Sequence, residues 1–219
     1  MKHFGTSPTT LDFITAEQAK AMRPETIVDF GAGGGKYGRL LRSALGDAPI
    51  ITAVEGFPPT AENLRHDKNY NAVDGMLIRE WFVKNTARYN LAIFGDVLEH
   101  LTRREIYWTL RQAARWFDEI IVVVPLFDVD QGTVHGNELE NHRAFVDGCY
   151  FDWLKPREKH IVKTETYTMM SVRIDKTCIP GTFRTLSRHD IFRWWMTRLE
   201  RIGLARVTWH ALKRLGLIR

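Results

Sequence analysis

Two stretches of this chain hold residue types that can do chemistry, at spacings that chemistry needs. The first is Asp29-Phe30-Gly31-Ala32-Gly33-Gly34-Gly35-Lys36-Tyr37-Gly38, followed by Glu55 twenty residues beyond Gly35. Glycines let a backbone turn sharply and approach a ligand with no Cβ in the way. A carboxylate closing the next strand can accept both hydroxyls of a ribose. Together they imply a ligand that contains a nucleoside. The second stretch is Asp96-x-x-Glu99-His100, with His142 downstream in Gly136-Asn137-Glu138-Leu139-Glu140-Asn141-His142-Arg143. If a helical turn begins at Asp96, positions i, i+3 and i+4 share one face and offer two carboxylates and an imidazole. Such a set suits proton transfer or, with His142 folded over it, a Mg²⁺, Mn²⁺ or Zn²⁺ ion.

Three ligand classes compete for the glycine-rich stretch. A phosphate-binding P-loop needs Gly-Lys followed by Ser or Thr to hold magnesium, and here Lys36 is followed by Tyr37. That class fails. A dinucleotide fold fits on spacing, because Gly33, Gly35 and Gly38 satisfy G-x-G-x-x-G. Asp29 speaks against it, since a carboxylate beside a pyrophosphate is repelled. The same carboxylate is favourable beside an ammonium group, such as the aminoacyl end of S-adenosylmethionine.

These residues need elements to position them. Short β-branched runs read as strands over 26–30, 50–55, 70–73, 90–94 and 119–125, the last nearly continuous Ile and Val. Amphipathic stretches between them read as helices over 36–45, 58–66, 77–86 and 103–117. Strand alternating with helix implies right-handed crossovers and an open α/β, doubly wound sheet. Ligands of such sheets sit past the carboxyl ends of the strands, where Gly31, Glu55, Asp74 and Asp96 all fall. Beyond Pro156, residues 159–163 and 166–174 read as a closing antiparallel hairpin. Ser187 then caps a helix from Arg188 to about Arg201, and Gly203 separates it from a last helix ending near Leu215. The domain reading is a main domain over 1–178, with Met1 to Thr15 as a lid segment, and a helical extension over 179–219.

In order and spacing, these motifs resemble the class I S-adenosylmethionine-dependent methyltransferases, over roughly Ala21 to Lys155. Val28 to Gly35 matches the first motif of that family, and Glu55 its ribose-binding acid. Asp74, in Val73-Asp74-Gly75-Met76, matches the residue that reads the adenine edge. Tyr89 to Leu101 is similar to the fourth motif, with Asn90 where an Asp is usual. The resemblance implies a Rossmann-like, seven-stranded sheet with helices on both faces, and S-adenosylmethionine as cofactor. It assigns cofactor contacts to Asp29, Gly31, Ala32, Gly33, Gly35, Glu55, Gly56, Phe57, Asp74, Gly75, Met76, Gly95, Asp96 and Val97.

That cofactor arrives activated, so the protein has to align an acceptor and take its proton. The Pro-Pro-aromatic element of nucleobase amino-methylating enzymes is replaced here by Gly95-Asp96-Val97-Leu98. The Pro-Cys of cytosine C5 enzymes is missing, since Leu126 follows Pro125. The Asp96, Glu99, His100 and His142 set is similar to that of ubiquinone-pathway O-methyltransferases. It is also similar to the enzymes that methylate the 2′-hydroxyl at small-RNA 3′ ends, where a metal holds adjacent acceptor oxygens. The resemblance therefore implies these four residues as the acceptor-side catalytic set, through a bound Mg²⁺ or Mn²⁺. Metal-free members share Leu-Glu-His-Leu, and in them His100 would be a base or a structural residue. The wider phrase, including Gln131-Gly132, is similar to a bacterial subgroup associated with surface polysaccharide, which implies a sugar hydroxyl. Methylation of a hydroxyl on a small-molecule or glycan acceptor is the expected reaction. RNA 3′-end 2′-O-methylation and a binding module without turnover are its rivals.

Composition bounds the rest. The 219 residues are 44% apolar and 26% charged, which describes a folded chain with a real core. The longest apolar stretch, Ile120 to Phe127, falls well short of the roughly 20 residues of a membrane helix. With two cysteines, Cys149 and Cys178, and no apolar h-region after Met1, a cytoplasmic setting is expected. Charge is uneven. Residues 184–219 hold nine Lys/Arg and two Asp/Glu, a net +7, which leaves 22 against 24, a net of −2, elsewhere. A stripe of Ile191, Trp195, Leu199 and Ile202 makes this tail a packing helix with a basic face. The sharper reading is peripheral contact with an anionic inner-membrane surface, with nucleic acid as the less favoured partner.

Overall fold

The computed structural model describes residues 8–126, 133–134, 136–144, 146–165 and 167–178. The 179–219 extension and its expected helices lie outside the described residues, as do Gln131 and Gly132.

The strands are β1 (Thr26–Phe30), β2 (Ile50–Val54), β3 (Ala72–Asp74), β4 (Tyr89–Gly95), β5 (Phe117–Pro125), β6 (Glu158–Lys163) and β7 (Thr168–Asp175). They form one seven-stranded sheet in the order β3-β2-β1-β4-β5-β7-β6. The first five run parallel, and β7 enters antiparallel between β5 and β6. The expected α/β, doubly wound, Rossmann-like sheet is therefore the observed one.

Helices cover both faces. Val28, Phe30, Val54, Phe94 and Val122 share a core with Trp81 and Phe82 of α4 (Ile78–Lys84) and Ile106 and Leu110 of α5 (Arg103–Trp116). Ile27, Ile51, Leu91 and Ile93 share the other with Ala19 of α1 (Asp12–Met22), Leu41 of α2 (Lys36–Leu45) and Leu64 of α3 (Pro58–Leu64). Strand residues alternate between the faces, so Asp29 points into the α1–α3 side with Ile27. Register sets Phe30 beside both Val54 and Phe94, and Gly31, Glu55 and Gly95 leave the sheet at one level. Strand order reverses between β1 and β4, the place where open α/β sheets form their ligand crevice.

Several local expectations need correction. Helix α1 carries no apolar stripe that a sequence pattern would reveal, because the residues it buries are Thr15, Ala16, Gln18 and Ala19. Strand β3 starts two residues later than expected. Tyr70 instead closes a turn, its N–H donating to the Asp67 carbonyl at 3.1 Å. Asn90, the departure from the fourth motif, lies at the strand end remote from the crevice. Its Oδ1 accepts from the backbone N–H groups of Glu25 and Thr26, both at 3.0 Å, and ties the start of β4 to that of β1. Among the described residues no helix is long and apolar enough to cross a membrane.

Gly95 is needed for its size. A Cβ built there would lie 1.8 Å from Cε2 of the buried Tyr37 ring. Gly95→Ala should therefore cost on the order of 1–3 kcal/mol of unfolding free energy, read by urea denaturation, because neither backbone nor ring has room to yield.

Candidate functional site

The ends of the parallel strands are laced together before any ligand is considered. Gly31 N–H and Ala32 N–H donate to the Val54 carbonyl at 2.8 and 3.3 Å, and Glu55 N–H donates to the Asp74 carbonyl at 3.1 Å. The turn after β1 needs positive φ at Gly31, Gly33 and Gly35, at 68°, 50° and 74°. It is held down by Glu55, whose Oε2 accepts from Gly33 N–H at 2.9 Å and whose Oε1 accepts from Phe57 N–H at 2.7 Å. Burial pushes the Glu55 carboxyl upward, and these N–H groups oppose the shift. Each oxygen has two lone pairs, so capacity remains for a ligand hydroxyl.

Asp29 is fully buried at the base of the crevice. The Tyr70 hydroxyl donates to its Oδ2 at 2.6 Å and itself accepts from Gly38 N–H at 3.1 Å. Its Oδ1 has no hydrogen-bond partner among the described residues. Burial raises the Asp29 pKa to about 7, against the Tyr70 hydrogen bond and with help from the Glu55 charge. A buried acceptor left unsatisfied costs free energy, and a ligand N–H⁺ would satisfy it.

Two further contacts separate this site from the phosphate-binding alternatives. The Tyr70 ring lies 2.4 Å from where a Gly38 Cβ would be, so the last glycine of the dinucleotide spacing makes room for Tyr70. Lys36 is engaged by the N-terminal segment. Its Nζ donates to the Pro8 carbonyl and lies 2.8 Å from an Asp12 carboxylate oxygen, pinning the N-terminal segment to the start of α2. Leu11 and Thr15 of that segment are buried.

Tyr37 and Tyr70 are the site residues that motif spacing did not single out. Tyr37 read as part of an apolar helix face, yet its hydroxyl donates to Asp96 Oδ2 at 3.4 Å. Its pKa is driven well up, by burial first and then by the charges of Asp96, Asp12, Asp29 and Glu99. Its position two residues past Gly35, the last glycine of the turn, was the signal available. Tyr70, in the turn before β3, carried none.

Asp74 ends β3, and its Oδ2 accepts from Trp81 Nε1–H at 2.8 Å. It does not cap α4. That position belongs to Leu77, whose N–H donates to Glu80 Oε2 at 3.1 Å.

On the acceptor side, the helical turn expected from Asp96 does not form. Asp96 has φ 52°, in the left-handed region, and its N–H donates to the Val123 carbonyl at 2.8 Å. The chain then makes a single turn over Leu98–His100. Asp96 faces Tyr37 rather than sharing a helix face with Glu99 and His100. Three of the four expected residues do meet. A Glu99 carboxylate oxygen and one ring nitrogen each from His100 and His142 lie within 4.8 Å of one another. The two rings are 4.9 Å apart at 66°. His142 is carried there by backbone, because Arg143 N–H and Ala144 N–H both donate to the Glu99 carbonyl, at 2.8 and 2.9 Å.

Glu99 Oε2 and His100 Nδ1 are buried without hydrogen-bond partners among the described residues. Burial and then the Asp96 charge push Glu99 well above the usual carboxylate range. Burial pushes His100 down, while backbone hydrogen bonds at Asn141 and Glu140 oppose it. Backbone at Asp96 also hydrogen-bonds the ring, and Nδ1 is the ring nitrogen left unpartnered among the described residues.

No family model matches the chain, and no curated protein sequence matches it. Solved structures do. The N-terminal domain of EvdMO1, crystallised in the presence of S-adenosylhomocysteine and D-fucose, aligns with TM-score 0.56 at 13% identity, over 78% of this chain and 84% of that one. The plantazolicin methyltransferase BpumL, in complex with S-adenosylhomocysteine, aligns with TM-score 0.56 at 14% identity, over 75% and 83%. The 1,6-didemethyltoxoflavin-N1-methyltransferase of Burkholderia thailandensis, with its didemethyltoxoflavin and S-adenosylhomocysteine bound, aligns with TM-score 0.53 at 18% identity, over 76% and 79%. The chain thus has the Rossmann-like fold of S-adenosylmethionine-dependent methyltransferases.

Proposed function

We propose that the protein binds S-adenosylmethionine in the crevice past β1–β4 and methylates a hydroxyl of a small-molecule or glycan acceptor. One observation carries this reading: the crevice holds two kinds of unsatisfied buried atom. Asp29 Oδ1, at the cofactor end, suits a cation, whereas Glu99 Oε2 and His100 Nδ1, at the other end, suit a hydroxyl. S-adenosylmethionine supplies a methyl group on a sulfonium and carries an ammonium group. Asp29 receives that ammonium, Glu55 the ribose hydroxyls, and Asp74 an adenine N–H beside its bond to Trp81. The other cofactor contacts assigned by resemblance are backbone of the same loops. His100 Nδ1 takes the proton of the acceptor hydroxyl while Glu99 holds its orientation.

An uncharged acceptor agrees with Asp96 and Glu140, whose charges act at this end and would repel an RNA phosphodiester. The crystallisation of the EvdMO1 domain in the presence of S-adenosylhomocysteine and D-fucose is compatible with a sugar hydroxyl here. The donor types of Glu99, His100 and His142 also fit Mg²⁺, Mn²⁺ or Zn²⁺, which would lower the pKa of the acceptor hydroxyl. The basic 179–219 segment supplies the contact to an anionic membrane surface in this reading.

Calorimetric titration of S-adenosylhomocysteine tests the cofactor. Micromolar binding is expected, unchanged by EDTA or added Mn²⁺, because the candidate metal ligands lie on the acceptor side. Absence of binding under all three conditions overturns the proposal.

A further inference from the structure

The turn over Glu138–Glu140 touches both halves of the crevice. At its cofactor end, Leu139 is 40% exposed and Leu77 is 44% exposed, although both are large and apolar. They come from loops after β5 and after β3, and they meet over Gly56. A Cβ on Gly56 would lie 3.0 Å from Leu139 Cδ1 and 2.8 Å from Leu77 Cδ2. An exposed apolar pair thus stands directly beyond Glu55. At its acceptor end, the same segment delivers His142 to His100 and hydrogen-bonds to the Glu99 carbonyl through Arg143 and Ala144. It holds its shape through Asn137, which is 3% exposed. The Asn137 side chain accepts from Leu139 N–H at 3.0 Å, and its backbone pairs with Val134. The charge of Glu140 raises both Glu55 and Glu99, so the turn lies within electrostatic reach of each.

We infer that residues 137–144 form one arm that couples the two subsites, with Leu139 as the positioning residue through which a bound adenosine fixes His142 beside the acceptor. The inference rests on the cofactor reading above. The flat apolar face of a purine nucleoside whose ribose reaches Glu55 covers Leu139 and Leu77 and removes them from water. Loss of that surface from solvent favours the seated arm, and a seated arm completes the acceptor pocket. Cofactor therefore tightens acceptor, and by linkage acceptor tightens cofactor by the same factor.

Arg143 and Ala144 provide the readout, because their amides are the hydrogen bonds that seat the arm. In hydrogen exchange on the full chain, saturating S-adenosylhomocysteine should slow both amides by about tenfold or more. Adenosine alone should do the same, and methionine alone should not, since Leu139 meets the nucleoside end. Leu139→Ala should still bind S-adenosylhomocysteine, but the slowing should shrink to about twofold or less, and Leu139→Met should restore it. Binding that protects Gly33 and Phe57 while leaving Arg143 and Ala144 unchanged overturns the inference and spares the cofactor reading. Undiminished slowing in Leu139→Ala does the same. Failure of the wild-type chain to bind S-adenosylhomocysteine overturns both.

Discussion

S-adenosylhomocysteine should bind about tenfold more tightly for each pH unit gained below 7, and with nearly constant affinity above it. The cause is Asp29. Its buried carboxyl has a pKa of about 7 in the free protein, so below that pH it is mostly neutral. An ammonium group needs the carboxylate. Binding in acid must therefore expel a proton, and affinity falls as pH drops. Asp29→Asn should flatten the profile, weakening binding at pH 8 while approaching the wild type near pH 5. A slope retained in the variant would assign the linkage to Glu55, which is also pushed up. Stability moves the opposite way. Between about pH 4 and 7 the folded chain keeps a proton that the unfolded chain has released, so stability falls as pH rises. The loss is as much as roughly 4 kcal/mol. Asp29→Asn should remove that decline and melt at a higher temperature than the wild type at pH 7. A variant that is more stable and binds less marks a group held at the fold's expense for its ligand.

His100→Ala should lower turnover by about a thousandfold while leaving S-adenosylhomocysteine affinity within about twofold. The ring hydrogen-bonds backbone at Asn141 and Glu140 of the 137–144 segment and at Asp96. On the proposed assignment, removing Nδ1 takes away the proton acceptor and leaves Asp29 and Glu55 to hold the cofactor. Because burial lowers the imidazole pKa, the basic form persists below its usual range. The acid limb of kcat/KM should accordingly lie below pH 6.5. The assay is methyl transfer to a panel of sugars, with and without Mn²⁺. A collapse of S-adenosylhomocysteine affinity in the variant would make His100 a structural residue and displace the base to His142 or Glu99.

The parallel half of the sheet was legible because burial on both faces writes continuous apolar runs, as in Ile120 to Val124. Gly31 and Glu55 fall just past such runs, so their shared level could be read from spacing. Strand order was not legible, because it rests on pairing between distant segments that no local run encodes. Helix α1 was hidden because small and polar residues fill its buried face. Asp96 defeated the helical reading through one left-handed backbone angle, paired to Val123 from a neighbouring strand, which no local pattern encodes. The approach of His142 was guessed from its place after β5. What delivers it, two backbone amides on the Glu99 carbonyl, leaves no mark in side-chain identity. Tyr70 reaches Asp29 across 41 residues of sequence, and a tyrosine before a short strand is unremarkable until the fold brings the two together.

The Tyr37 hydroxyl donates to Asp96, and the carboxyl of Asp29 is close enough to act on the same hydroxyl. A methyl donor enters as a sulfonium and leaves as a neutral thioether. On the proposed function, negative charge at these carboxyls would hold the spent cofactor less firmly than the fresh one, although their shapes are nearly the same. The proposed reaction would then discharge the interaction that otherwise retains its own by-product.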